Sequence, residues 1–221
     1  MRRRAVIDLD ALAANLRDSG AQFDARADGY GHGLDLVGPV AREFGADVIL
    51  VSGEHDAQRA HALGFREVRV GGLPPDAPAS SAAPYGLDGR GRPVMTLSGE
   101  LIAVKRVPAG AGVSYGYTHR TSAATTLGLV GLGYADGIPR LASNRAELAI
   151  EGRRVRLVGR VAMDQLVVDL GSDEVPAGAE VVVFGDPATG APAATEWARW
   201  TEREALALTA GLGGRIRREA R

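Results

Sequence analysis

The chain has 221 residues, 45% hydrophobic and 24% charged, with a formal net charge of -1. That length allows a sizeable core in one large domain or two small ones, and the near-neutral balance gives no overall pull toward nucleic acid or an anionic membrane. Cysteine is absent, which excludes disulfides, thiolate metal sites and thiol catalysis. The opening Met1-Arg2-Arg3-Arg4 is basic, but Asp8 and Asp10 interrupt the short apolar stretch behind it, unlike a signal peptide. No run approaches the ~18 apolar residues of a membrane span, so a soluble cytoplasmic protein is expected. The basic residues are almost all arginine, beside abundant alanine and glycine. A high-GC gene explains that bias without a nucleic-acid site.

In chain order, Ala5 to Leu9 reads as a strand, and Asp10 as the N-cap of a helix from Ala11 to Arg17. Gln22 to Ala27 reads as a strand ending at an Asp28-Gly29 turn. Apolar residues at 34, 36, 37, 40, 41 and 44 predict an amphipathic helix closed by Gly45. Val48 to Val51 has the continuous apolar pattern of a strand buried on both faces. A helix from Glu54 to Leu63, stopped at Gly64, and a strand from Glu67 to Val70 follow. This alternation is the grammar of βα units around a parallel sheet.

The texture then changes. Residues 74–81, rich in Pro, Ala and Ser, read as a loop or linker. Beyond Pro93 come period-two and β-branched runs separated by glycines: Leu101 to Val107, Thr125 to Gly131, Arg153 to Val161, Gln165 to Leu170 and Glu180 to Phe184. They predict a compact antiparallel β domain or small barrel. Glu196 to Ala210 reads as a helix, and Arg215 to Arg221 as a basic tail.

The most telling segment is Arg26-Ala27-Asp28-Gly29-Tyr30-Gly31-His32-Gly33. It resembles the Lys-Ala-Asp-x-Tyr-Gly-His-Gly signature of alanine racemases, whose lysine attaches pyridoxal phosphate. Further resemblances follow in order: the opening strand at 5–12, then 84–97, Val107-Pro108-Ala109-Gly110 with Val113-Ser114-Tyr115-Gly116, Gly133-Tyr134-Ala135-Asp136-Gly137, and Val158 to Gln165. Together they imply a fold-type III protein, α/β plus β. A partial (β/α) barrel remnant at 11–93 would be followed by an antiparallel β domain of the alanine racemase type at 94–221, joined by strand 5–9. A closed (β/α)8 barrel needs ~250 residues, whereas about 85 separate the opening strand from Pro93. The open edges and apolar inner face of such a remnant need cover from another surface.

The resemblance also marks what is missing. Arg26 stands at the lysine position, and arginine stays protonated and is a poor nucleophile. The arginine that pairs with the pyridine nitrogen in the family falls on Ala79, and the second catalytic base, a tyrosine, falls on His119. Tyr30 matches a phosphate-contacting tyrosine. Tyr134, Met163 and Asp164 match the substrate-side part of the β domain that lies over a partner subunit's barrel mouth. The chain's only lysine, Lys105, sits in a predicted strand beside Arg106, as expected for a solvated face.

Plainer readings stand beside these. Tyr30 to Gly33 serves as an inherited turn feeding the next helix, or as an anion-contacting turn at a helix N-terminus. Arg26 binds a carboxylate or phosphate through its fork, or is a solvated or ion-paired structural arginine. His119 is a proton-transfer group or an ordinary loop histidine. His32, His55 and His61 lack metal-ligand spacing, so no metal is expected.

The resemblance therefore implies a racemase-family protein without stand-alone racemase activity, a pseudoenzyme or assembly partner. No cofactor is expected on the isolated chain, although the family uses pyridoxal phosphate. A homodimer or association with an intact racemase is expected. The alternatives are a pyridoxal-phosphate-dependent racemase of L- and D-alanine for cell-wall synthesis, active only with a partner, or a repurposed small-molecule enzyme.

Overall fold

A computed structural model describes residues 2–17, 21–72 and 81–221. They divide into two units. The first comprises the stretch up to Ala5 with Thr96–Glu204 and Leu212–Arg217, and the second Val6–Met95 with Ala205–Gly211 and Arg218–Arg221.

The second unit begins where strand β1 (Arg3–Ile7) runs into helix α1 (Leu9–Leu16). Asp8, not Asp10, caps α1, its carboxylate accepting the Ala11 N–H at 2.8 Å. Asp10 lies inside the first turn, where its charge suits the helix dipole. Strand β2 (Gln22–Asp24) ends three residues earlier than its sequence suggests, because α2 (Arg26–Tyr30) coils immediately after it. Helix α3 (Leu34–Glu43), strand β3 (Val48–Val51), helix α4 (Glu54–Ala62) and strand β4 (Glu67–Val70) follow as the periodicity implies. β2, β3 and β4 form a parallel sheet in that order, with Phe23 opposite Ile49 and Ile49 opposite Val68. Leu12, Phe23, Leu34, Val37, Ile49 and Leu50 are buried in its core. The expected linker lies outside the described residues except for Ser81.

α2 is a single turn wound left-handed. Ala27, Asp28, Gly29 and Tyr30 have φ of 51°, 55°, 64° and 49°. Each non-glycine residue there costs ~1–2 kcal/mol, so neighbours must hold the turn. Asp28 accepts from the Leu34 N–H (2.9 Å) and Arg59 Nη1 (3.0 Å), and the Ala27 N–H donates to Ser52 Oγ at 2.7 Å. Gly31, at φ 80°, ends the turn against the backbone of helix α6 (Ala205–Ala210). A Cβ at Gly31 would lie 2.1 Å from the Thr209 carbonyl oxygen. Gly31→Ala is therefore expected to lower the stability of this unit by more than ~2 kcal/mol through clash and strain together. Urea unfolding checks it; a change within ~0.5 kcal/mol would show that α6 yields without cost.

The first unit is built on the long strand β5 (Met95–Val107), a small hairpin of β6 (Gly112–Val113) and β7 (His119–Arg120), and strands β8 (Thr125–Val130), β9 (Glu147–Ile150), β10 (Arg153–Leu157), β11 (Leu166–Gly171) and β12 (Glu180–Phe184). β5 pairs with β8, β8 with β11, β11 with β10, β10 with β9 and β9 with β12, all antiparallel. β12 also pairs with β5, which closes the strands into a ring. Register shifts in β5, β11 and β12 supply local bends, as closure of a small barrel requires. Gly128 leaves room inside it, since a Cβ there would lie 2.6 Å from a Leu101 methyl.

β9 was not legible in the sequence. Helix α5 (Ala194–Thr201) packs Trp197 into the core, its indole N–H donating to the Glu147 carbonyl at 3.0 Å. The expected helix from 196 to 210 is thus two helices, broken where Glu202 turns left-handed at φ 54°. The expected basic tail is not a tail. It contains strand β13 (Arg217–Ala220); Arg215 pairs with Asp136 and Asp164, and Arg221 pairs with Asp8.

Candidate functional site

In the α/β unit, the end of β2 and the left-handed turn bring Arg26 and Tyr30 together around Asp24. Asp24, 2% exposed, comes from the last position of β2. Arg26 grips it through two hydrogen bonds, Nε to Oδ1 at 2.9 Å and Nη2 to Oδ2 at 2.7 Å. The Arg26 N–H adds a third to Oδ1 at 3.2 Å. Tyr30 accepts from Arg26 Nη2 at 2.9 Å and donates to Asp24 Oδ2 at 2.7 Å. Ser81 Oγ donates to the same oxygen at 2.6 Å, and the buried Tyr85 hydroxyl donates to the Asp24 carbonyl at 2.7 Å.

The electrostatics follow from this saturation. Burial by itself would raise the Asp24 pKa, but hydrogen bonds from Arg26, Ser81 and Tyr30 outweigh it and hold the carboxyl below its ordinary value. The hydrogen bond to Asp24 does most to raise Arg26 above the usual arginine range, against the opposing effect of burial. Burial, then the hydrogen bond to Asp24, raises the Tyr30 phenol, so it stays protonated and can donate. Of the two sequence readings of Arg26, the structure presents the ion-paired one. Asp24, Ser81 and Tyr85 were missed as site residues; an acid two positions before the arginine was the available signal.

His32 lies beneath this cluster, fully buried, its ring 4.5 Å from that of Tyr85. Its Nδ1 faces the Gly29 and Tyr30 carbonyl oxygens at 2.9 and 3.2 Å, so Nδ1 carries the proton. Nε2 has no hydrogen-bond partner among the described residues. Burial pushes the imidazole down to about 4.

His119, in the β unit, is half-buried on β7 opposite Val113. It lines a cavity of about 350 Å3 with Asn144, Arg145, Glu147 and Arg156. Arg26 and His119 therefore belong to different units. Tyr134, Met163 and Asp164 come together through the Tyr134 N–H to the Ala162 carbonyl (2.9 Å) and the Ala135 N–H to the Met163 carbonyl (3.0 Å). Met163 is 54% exposed and Tyr134 39%, while Asp164 accepts from Arg215 at 2.6 Å. In the same unit the exposed rings of Tyr115, Tyr117 and Tyr134 lie under the guanidinium groups of Arg160, Arg120 and Arg140. Arg140 also donates to the Tyr115 hydroxyl at 2.8 Å. Ala79 lies outside the described residues.

Comparison with known proteins agrees with this architecture. The family model for the alanine racemase C-terminal domain matches residues 94–220. The alanine racemase of Streptomyces coelicolor is 46% identical over 147 residues, which are 66% of this chain and 37% of that protein. The alanine racemase of Mycolicibacterium smegmatis is 40% identical over 186 residues, covering 80% of this chain and 46% of the relative. This chain thus spans less than half the length of these curated relatives. The solved alanine racemase of Streptomyces coelicolor superposes with a TM-score of 0.83 at 26% identity, covering 99% of this chain and 98% of that one. That of Bartonella henselae, which carries covalently bound pyridoxal phosphate, shares the fold with a TM-score of 0.80 at 16% identity. The chain belongs to the alanine racemase family.

The described residues of this site do not fit attachment of the coenzyme. An attachment point needs an amine that can lose its proton, and Arg26 is a guanidinium locked to a carboxylate. The hydroxyl of Tyr30 is already engaged as donor and acceptor. Lys105 is exposed on β5, opposite Leu127. No helix among the described residues is long and apolar enough to cross a membrane.

Proposed function

We propose that this chain is a racemase-family protein without stand-alone racemase activity, whose β unit serves in assembly with a second copy or with an intact racemase. The observation that carries the reading is the bidentate Arg26–Asp24 pair at the position of the family's lysine. Inverting alanine requires an amine to capture the coenzyme and a base on each face of the α-carbon. Arg26 offers neither an amine nor a free base, and His119 in the tyrosine's position offers at most one base.

Support for assembly comes from the exposed Tyr115, Tyr117, Tyr134 and Met163 with Arg120, Arg140 and Arg160. Tyr, Met and Arg are the side chains enriched where protein surfaces meet. The same patch favours the second reading, a racemase active only when a partner supplies the lysine and a complete barrel.

The test is the purified chain with added pyridoxal phosphate and L-alanine, freed of host racemase. No D-alanine is expected, and borohydride should trap no adduct beyond adventitious labelling of Lys105 and the terminal α-amine. Racemisation by the homogeneous chain would end this reading. Turnover that appears only on mixing with a full-length racemase that keeps its lysine but has lost its catalytic tyrosine would select the second one.

A further inference from the structure

We propose that Asp24, and not the exchange of lysine for arginine at position 26 alone, closes this position to carbonyl chemistry, by fixing any side-chain cation at position 26 in its charged form. The inference deepens the reading above and rests on it. Its residue is one that the family signature does not contain, since Asp24 lies two positions before it.

The argument is geometric. Asp24 is 2% exposed and its two oxygens receive five donors, the Arg26 N–H, Nε and Nη2, the Tyr30 hydroxyl and the Ser81 hydroxyl. Those donors come from α2, which opens at Arg26 and closes at Tyr30, and from the segment beginning at Ser81, while the carboxylate itself ends β2. One buried anion therefore holds three stretches of chain, and position 26 supplies its counter-charge. A cation in that place is required by the burial of Asp24, because an unpaired carboxylate there costs several kcal/mol. The arginine is consequently the matched partner of the aspartate and not an isolated loss.

A lysine returned to position 26 would meet the same carboxylate. An opposite charge within ~4–6 Å stabilises the ammonium form, and only the neutral amine attacks an aldehyde. In that attack Nζ bonds to the aldehyde carbon, water leaves with the former carbonyl oxygen, and borohydride reduces the resulting imine to a secondary amine. Asp24 opposes the first step by keeping the electron pair on a proton. Changing Asp24 to asparagine removes the charge while leaving a side chain of the same shape to receive Ser81 and Tyr30.

Lys105 makes the experiment self-calibrating. It is the chain's only lysine, exposed on the other unit. Arg26→Lys and Asp24→Asn/Arg26→Lys are each treated with pyridoxal phosphate and borohydride over a pH series, and labelling of the introduced lysine and of Lys105 is quantified by peptide mass spectrometry. In the single variant the pH midpoint for the introduced lysine should lie at least one unit above that for Lys105. In the double variant it should fall to or below the Lys105 value, with at least tenfold more adduct at position 26 at neutral pH. Comparing midpoints, not yields, separates charge from accessibility.

A midpoint at position 26 that is at or below that of Lys105 in the single variant overturns the proposal by itself, so it stays testable even if the double variant misfolds. Equal midpoints in the two variants overturn it as well. Neither result touches the reading of the natural chain, which fails instead if the unaltered protein racemises alanine.

Discussion

Replacing Asp24 with alanine is expected to lower the stability of the α/β unit by about 3 kcal/mol. Removing one partner of a buried ion pair typically costs ~3–5 kcal/mol, and the lower end applies because the Arg26 side chain is 22% exposed and can draw on water. The loss has three sources: an unpaired guanidinium, and the Tyr30 and Ser81 hydroxyls deprived of their acceptor. Arg26→Ala should cost a similar amount, since it leaves the buried carboxylate without its cation. Removing both should cost less than the two single losses together, because neither charge is then stranded. Urea unfolding followed at the tyrosines of this unit measures all three. Single losses below ~1 kcal/mol, or strict additivity, would mean that the cluster does not hold the unit together.

The second large effect is a dependence on pH. The folded-state pKa of His32 is pushed down to about 4 from an ordinary 6.5, so the folded chain refuses a proton that the unfolded chain accepts. The stability this contributes is fully present above pH 6.5 and is lost as the pH falls toward 4. At 1.36 kcal/mol per unit the loss amounts to about 3 kcal/mol. The physical cause is the buried Nε2, which on protonation would become a charged donor with no acceptor among the described residues. His32→Asn keeps a donor toward the Gly29 carbonyl but does not titrate, so its stability should stay level over that window. Asp24 acts in a lower range: its depressed carboxyl supplies stability above the ordinary aspartate value, lost only as the pH falls through the folded one. A natural chain whose stability does not change between pH 6.5 and 4 would refute the histidine assignment.

Local pattern announced much of the architecture. The apolar run at Val48–Val51 and the helical spacing from Leu34 onward appear where periodicity places them, because burial on both faces of a parallel sheet leaves a simple signature. Boundaries set by competition between neighbours were not legible. Asp8 and Asp10 are equally good caps by composition, and the choice fell on Asp8, which also meets Arg221 from the far end of the chain. The break at Glu202 has no glycine or proline to announce it. The left-handed turn was less visible still, since Ala27 and Tyr30 gain nothing locally from positive φ.

What the chain carried in its own letters was its kinship, the change from βα units to glycine-punctuated antiparallel β strands, and the absence of an amine at position 26. These are properties of residue type and spacing, readable without knowing what touches what. What awaited folding was the meaning of Arg26. A guanidinium binds an external anion or an internal one according to which carboxylate lies within 3 Å, and the return of Ser81 and Tyr85 to the end of β2 buries Asp24 as that partner. Charge needs compensation only once water is removed, and only the packed structure decides which charges lose it.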